Sequence, residues 1–136
     1  MKPLRKSFML ILSVAVIVCT FGFVSSPKGI TDDISAAIRT GNAKELAKFF
    51  NSSIDVSIPG YEGIYSKVQA EQIMKDFFAK QVPKSFTIIH QGASKDGSQY
   101  SIGNYTTEKQ TFRTYFLLKK TGEKFLLQQL RFEVEE

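Results

Sequence analysis

Residues 113–120 read RTYFLLKK. Successive side chains of a β-strand point to opposite faces, so a half-buried strand alternates apolar and polar residues. Here Tyr115, Phe116, Leu117 and Leu118 follow one another, so a strand at this position is apolar on both sides. The core of a single domain covers one side, and something else must cover the other.

The surrounding sequence supports a strand. Downstream of Pro83 the hydrophobic period is 2, over Phe86–Gln91, Gln99–Thr107, Phe112–Lys120 and Lys124–Val134. KDGS, EKQ and TGE join these stretches. Asp96-Gly97 is a type I′ hairpin signal, because both positions tolerate positive φ. Connections this short pair consecutive strands into an antiparallel meander.

Upstream the period is helical. Thr31 or Asp32 suits an N-cap, Ile34, Ala37 and Ile38 share one face, and Gly41-Asn42 suits a C-cap. NAKELAKFF predicts a second short helix with Leu46, Phe49 and Phe50 as its stripe. SIDVSIPG alternates Ile54, Val56 and Ile58 and stops at Pro59-Gly60, as a strand before a turn does. In YSKVQAEQIMKDFFAKQVP, Ser66 and Gln69 form a capping box. Val68, Ile73, Met74, Phe77 and Phe78 make the apolar stripe, and Pro83 ends the helix. The expected class is α+β, with N-terminal helices packed on a curved antiparallel sheet.

The first 26 residues have a different character. Lys2, Arg5 and Lys6 precede an apolar run of 17 residues, Phe8 to Val24. This is the pattern of a secretory signal peptide, and the run also sits at the short edge of a membrane anchor. Residues 1–26 are read as signal or anchor and 27–136 as a single domain, exported to the periplasm or cell envelope. Membrane contact is expected only through the N-terminal segment, if it is retained. Cys19, the one cysteine, lies in the apolar run after Val18, which is not the small residue that lipidation requires. Residues 27–136 hold no cysteine, which excludes disulfide and thiolate chemistry there. They carry 15 Lys+Arg against 13 Asp+Glu, a net charge of +2 with the signs interspersed. That is no footprint for nucleic acid.

Several stretches carry a resemblance: GNAKELAKFF, YSKVQAEQIMKDFF, PKSFTIIHQGASKDGSQYSIG and FRTYFLLKK…FLLQQLRFE. They are similar to a family of small exported proteins of unknown function from bacteria of the Bacteroidetes type. That family shares the nuclear-transport-factor-2-like (cystatin-like) α+β cone. The resemblance runs from Ile30 to Glu133. It implies the fold and brings no activity, since the wider superfamily holds isomerases, dehydratases and non-catalytic binders.

Turn lengths set the expected register, which a slip of one residue would invert. A three-residue loop at Glu108–Gln110 pairs Asn104 with Thr114, and another at Thr121–Glu123 pairs Phe116 with Gln128. The face toward the helices then reads Ile89, Tyr100, Ile102, Phe112, Phe116, Leu118, Leu126, Leu130 and Phe132. Asn104, Thr114 and Gln128 fall on it too, as candidate polar groups in a pocket for a small apolar ligand. The plainer reading is that they bond one another, backbone ends or water at the rim. Tyr61 and Tyr65 flank the loop before the long helix and are candidates for the pocket entrance. The opposite face includes Phe86, Ile88, His90, Tyr105, Arg113, Tyr115, Leu117, Phe125 and Leu127. Related folds often dimerise through this face, so the resemblance implies a homodimer. Candidate interface residues are His90, Tyr105, Arg113, Tyr115, Leu117 and Leu127, with Tyr and Arg favoured at interface centres.

Signals for catalysis are weak. His90 is the single histidine and neighbours two isoleucines. No His/Cys set for a metal exists, and no G-x-S-x-G or phosphate-cradling loop occurs. Acid–base chemistry on such a cone needs a carboxylate in an apolar cavity. The inferred inner face has none, although Asp55 or Asp76 would enter if the register were different. The expected function is a non-catalytic binding or scaffold domain without cofactor or metal. The alternatives are a cavity acid–base enzyme, and an envelope-tethered domain that presents its sheet to another protein.

Overall fold

The computed structural model describes residues 27–136. The leader, its cleavage and Cys19 lie outside the described residues. The order is α1 (Pro27–Arg39), α2 (Ala43–Ala47), β1 (Phe50–Ile58), β2 (Tyr61–Ser66), α3 (Lys67–Lys80), β3 (Ser85–Ala93), β4 (Gln99–Thr106), β5 (Thr111–Thr121) and β6 (Lys124–Val134). The strands form one six-stranded sheet in the order β2-β1-β6-β5-β4-β3. Neighbours are antiparallel except β1 and β6, which run parallel.

Local chemistry explains the helix ends. α1 starts at Pro27, four residues before the expected Thr31, and proline is tolerated in a first turn because its missing N–H would be unpaired there anyway. Ser35 Oγ donates to the Thr31 carbonyl at 2.8 Å. Gly41, at φ 65, ends α1: Gly41 N donates to Ile38 O and Asn42 N to Ala37 O, a Schellman pattern. Asn42 then caps α2, accepting from Glu45 N at 3.1 Å. The Ser66–Gln69 capping box forms as expected. It sets the phase of α3 so that Ala70, Ile73, Met74, Phe77 and Phe78 face inward. Val68, assigned to the stripe from spacing, is instead 76% exposed.

Two features of the sheet differ from expectation. Phe50 opens β1 rather than closing α2, paired with Leu127 of β6. Tyr61–Ser66 forms β2, not a loop, folding back on β1 across the Pro59-Gly60 turn. As an edge strand with no buried residue, β2 has no alternation to read.

Register decides the rest. The β4–β5 loop has four residues, not three, because Thr107 closes it. Thr107 N donates to Gln110 O at 2.8 Å, and Thr107 Oγ1 accepts from Lys109 N and Gln110 N at 3.2 Å each. Thr106 therefore pairs with Thr111, Tyr105 with Phe112 and Gly103 with Thr114. That one-residue difference inverts β4. The β3–β4 hairpin is likewise one residue longer than the two-residue turn expected at Asp96-Gly97: Ser94 N donates to Ser98 O at 2.9 Å, leaving residues 95–97 as the loop with Gly97 at φ 87. Bulges act on two strands: Ile89 is extra between Ile88–Gly103 and His90–Ile102, and Gln128 between Leu118–Leu127 and Leu117–Gln129.

The corrected inner face contains Phe86, Ile88, Tyr105, Phe112, Thr114, Phe116, Leu118, Phe125, Leu127, Leu130 and Phe132. Tyr105 and Leu127, assigned to the partner face, are 0% exposed in the core. Tyr100, Ile102, Asn104 and Leu126, assigned to the inner face, lie outside. The expected inward positions of Phe112, Phe116, Leu118, Leu130 and Phe132 hold.

Phe77 of α3 is the centre of the core. Its ring lies 4.9 Å from Phe132, 5.4 Å from Phe112 and 5.8 Å from Tyr105, centroid to centroid. The Tyr105 hydroxyl donates to the Gln81 carbonyl, satisfying a group left open where α3 ends. Burial pushes the Tyr105 phenol well above its ordinary value. Gly103 lets Phe86 reach this core: a Cβ there would stand 2.7 Å from Thr87 O and 2.9 Å from the Phe86 ring. All these groups lie within residues 30–132, so the segment carries its own core.

Tyr105→Phe should destabilise the domain by about 1 kcal/mol, the net value of a typical buried hydrogen bond. Gly103→Ala should cost about 1–3 kcal/mol through overpacking. Urea unfolding checks both; a neutral Tyr105→Phe would mean that the bond to the Gln81 carbonyl adds nothing to stability.

Candidate functional site

The five candidate cavity residues do not come together. Thr114 is 0% exposed in the core, and its Oγ1 has no hydrogen-bond partner among the described residues. Gln128 sits in the β6 bulge, where Oε1 accepts from Asn51 Nδ2 at 3.2 Å. Asn104 is on the outer face, Tyr61 is 46% exposed on β2, and Tyr65 packs against the margin of the core. The space between α3 and the sheet, where a cone would hold a ligand, is occupied by Phe77, Phe78, Tyr105, Phe112 and Phe132. The buried polar side chains are Thr and Ser, with no carboxylate among them in the described residues. Nor do three or more His, Cys, Asp or Glu gather as metal ligands among those residues.

The outer face of the sheet gathers a different set. Cross-strand pairing places His90, Ile102, Tyr115, Arg131, Ser57 and Glu62 in one row, from β3 to β2. The next row runs through Gly92, Tyr100, Leu117, Gln129, Asp55 and Ile64. Tyr100 lies flat across β3, because Gly92 leaves room: a Cβ at Gly92 would fall 2.4 Å from that ring. There Tyr100 Oη meets His90 Nε2 at 3.2 Å, and its ring lies 6.5 Å from Tyr115 at an interplanar angle of 22°. Tyr115, Leu117, Ile102 and Leu126 are all partly exposed.

Charged groups frame this apolar centre. Arg113 Nη2 is 3.0 Å from Glu135 Oε1, and Arg131 Nε is 3.9 Å from Glu133 Oε1. Gln129 Nε2 donates to Asp55 Oδ2 at 3.5 Å. Two polar atoms on this face, Asn104 Oδ1 and Arg131 Nε, are shielded from solvent without a hydrogen-bond partner among the described residues.

Of the expected interface residues, His90, Arg113, Tyr115 and Leu117 stand on this face, and Tyr105 and Leu127 do not. Tyr100, Ile102, Asn104, Leu126 and Arg131 were missed. The signals for them were Thr107, whose hydroxyl favours a closed local turn, and the Gln128-Gln129 break in alternation.

No curated protein matches the chain. A model of a domain of unknown function, DUF4783, matches residues 31–133. A DUF4783 protein from Bacteroides uniformis is 28% identical, with TM-score 0.74, covering 79% of this chain and 98% of that one. One from Bacteroides ovatus is 25% identical, with TM-score 0.72, covering 85% and 99%. A nuclear-transport-factor-2-like protein of unknown function from Cytophaga hutchinsonii is similar in fold alone, at 12% identity and TM-score 0.57, covering 81% and 90%. The chain belongs to the DUF4783 family, a domain of unknown function on a nuclear-transport-factor-2-like fold.

Proposed function

We propose that this protein is an exported, non-catalytic binding and scaffold domain that self-associates through the outer face of β4, β5 and β6. The observation that carries this reading is an apolar stripe left partly exposed on one face of the sheet. Helices cover one side of the sheet. The other presents Tyr100, Ile102, Tyr115, Leu117 and Leu126 side by side, framed by Arg113 with Glu135 and Arg131 with Glu133. A sheet face this apolar gains by being covered.

A second copy suits this surface. A two-fold interface sets the same patch against itself, so a central apolar stripe meets a stripe and framing Arg and Glu side chains meet their opposites. Three strands about 4.8 Å apart and roughly 30 Å long give a plane on the order of 400 Å². That is about half of the roughly 800 Å² per partner of a standard interface, so the association is of the small, weaker class. Export rests on Lys2–Val24, a basic head followed by an apolar run. The acid–base enzyme alternative draws no support from a core whose buried polar side chains are Ser and Thr.

Light scattering of residues 27–136 should give twice the chain mass. Leu117→Asp should halve it while leaving the thermal midpoint of the monomer fold in place, since Leu117 is only partly buried. A wild-type monomer at tens of micromolar would end this reading.

A further inference from the structure

Among the described residues β3 is the last strand of the sheet, so one of its sides has no strand partner there. Natural edge strands are usually blunted by charge, proline, shortness or a bulge. β3 has nine residues, SFTIIHQGA, without charge or proline. Its one such device is the Ile89 bulge, which leaves Ile89 52% exposed. The bulge does not close the edge. It helps line a groove of about 760 Å³ between α1 and β3, whose walls include Ile88, Ile89 and His90 on one side and Asp32, Ser35 and Arg39 on the other.

The helix wall is polarised. Asp32 and Arg39 are both exposed, and neither forms an ion pair among the described residues. They sit at positions i and i+7, about 10.5 Å apart along the axis. An extended chain spans about 13 Å between side chains i and i+4 on one face, within reach of both charges. The groove thus offers unpaired backbone on one wall, an apolar middle, and a carboxylate and a guanidinium at its ends.

We propose that this groove docks an extended segment of another polypeptide, added to β3 as a seventh strand. The segment carries a basic residue toward Asp32, a β-branched apolar residue over Ile89 and an acidic residue toward Arg39. Main-chain bonds to the open edge supply affinity, and the alternate side chains facing α1 supply selectivity. A second copy of this domain fits less well. Its β3, without charge, offers neither a basic residue to Asp32 nor an acidic one to Arg39. This site is separate from the outer-face surface around Leu117.

The test uses residues 27–136 and a labelled, end-blocked peptide, Thr-Lys-Thr-Val-Thr-Glu-Thr, read by fluorescence anisotropy. Saturable binding is expected with Kd on the order of 10–100 µM. Amide exchange across Ser85–Ala93 should slow on binding. Arg39→Glu should weaken binding at least about tenfold, the loss expected of a close charge pair turned repulsive. The same variant should gain binding for the peptide with Lys in place of Glu, a gain that a merely structural role would not produce. Leu117→Asp should bind the first peptide as wild type does, which separates this site from the association surface.

The proposal is overturned by no saturable binding up to millimolar peptide, or by binding that Arg39→Glu leaves unchanged. It is also overturned if Ile89→Lys turns a wild-type dimer into a monomer, because a second copy is then the occupant. Binding by residues 27–136 but not by a chain starting at Phe21 overturns it too, since the chain's own segment then fills the groove.

Discussion

The packing of Phe77 against the inner face of the sheet is the contact on which the fold turns. One ring from α3 touches aromatic side chains from β4, β5 and β6, so it orients the helix and holds three strands to one register. Offset and edge-on aromatic pairs each add about 0.5–1.5 kcal/mol beyond burial. Their larger effect here is on the interior, where rings that meet at 4.9–5.9 Å fill the space between α3 and the strands they touch. The Tyr105 hydroxyl extends the same cluster to the last turn of α3, tying a strand to the point where Pro83 turns the chain.

Helices were legible in the sequence because their signals are local. The Ser66–Gln69 box, Gly41 at the end of α1 and the Ile73–Phe78 stripe depend on neighbours within four residues, and each appears in the structure. Strand existence was legible for the same reason in β1 and in β3 to β6, but not in the edge strand β2. Strand facing was not, because it depends on parity accumulated across loops. A single hydroxyl at Thr107 lengthens one loop, and single extra residues at Ile89 and Gln128 shift two registers. Each changes only one residue of spacing, yet that suffices to move Tyr105 inward and Asn104 outward. β5 escaped this error, since Phe112, Phe116 and Leu118 are too apolar to face any other way.

The same parity accounts for which candidate residues survive as a group. His90, Tyr115 and Leu117 share the outer face because the β3–β4 hairpin, closed by Ser94 N donating to Ser98 O, pairs His90 with Ile102, which the Thr107 turn has already placed outside. There His90 meets Tyr100 across Gly92. The Ile89 bulge acts on the other end of β3: without it Ile88 and Phe86 would face outward rather than into the core. Thr114 has the opposite fate to His90. Its neighbours on β5 are so firmly inward that its hydroxyl is carried into the core without a hydrogen-bond partner among the described residues.

The two edges of the sheet differ for a reason rooted in connectivity. β2 is short, carries Glu62, and passes directly into α3, so the helix that follows limits what can approach it. β1 lies inside it only because it pairs in parallel with β6, a contact between opposite ends of the described chain. β3 enters after Pro83 and leaves by a hairpin, so none of the described residues that adjoin it in sequence crosses its outer side. What stands beside it is α1, which gives its apolar side to the core through Ile34, Ala37 and Ile38. The polar flank of that helix has to lie along the groove. Covering the core with α1 therefore sets a charged wall next to an uncharged open edge, and neither element can be moved away without uncovering Phe86.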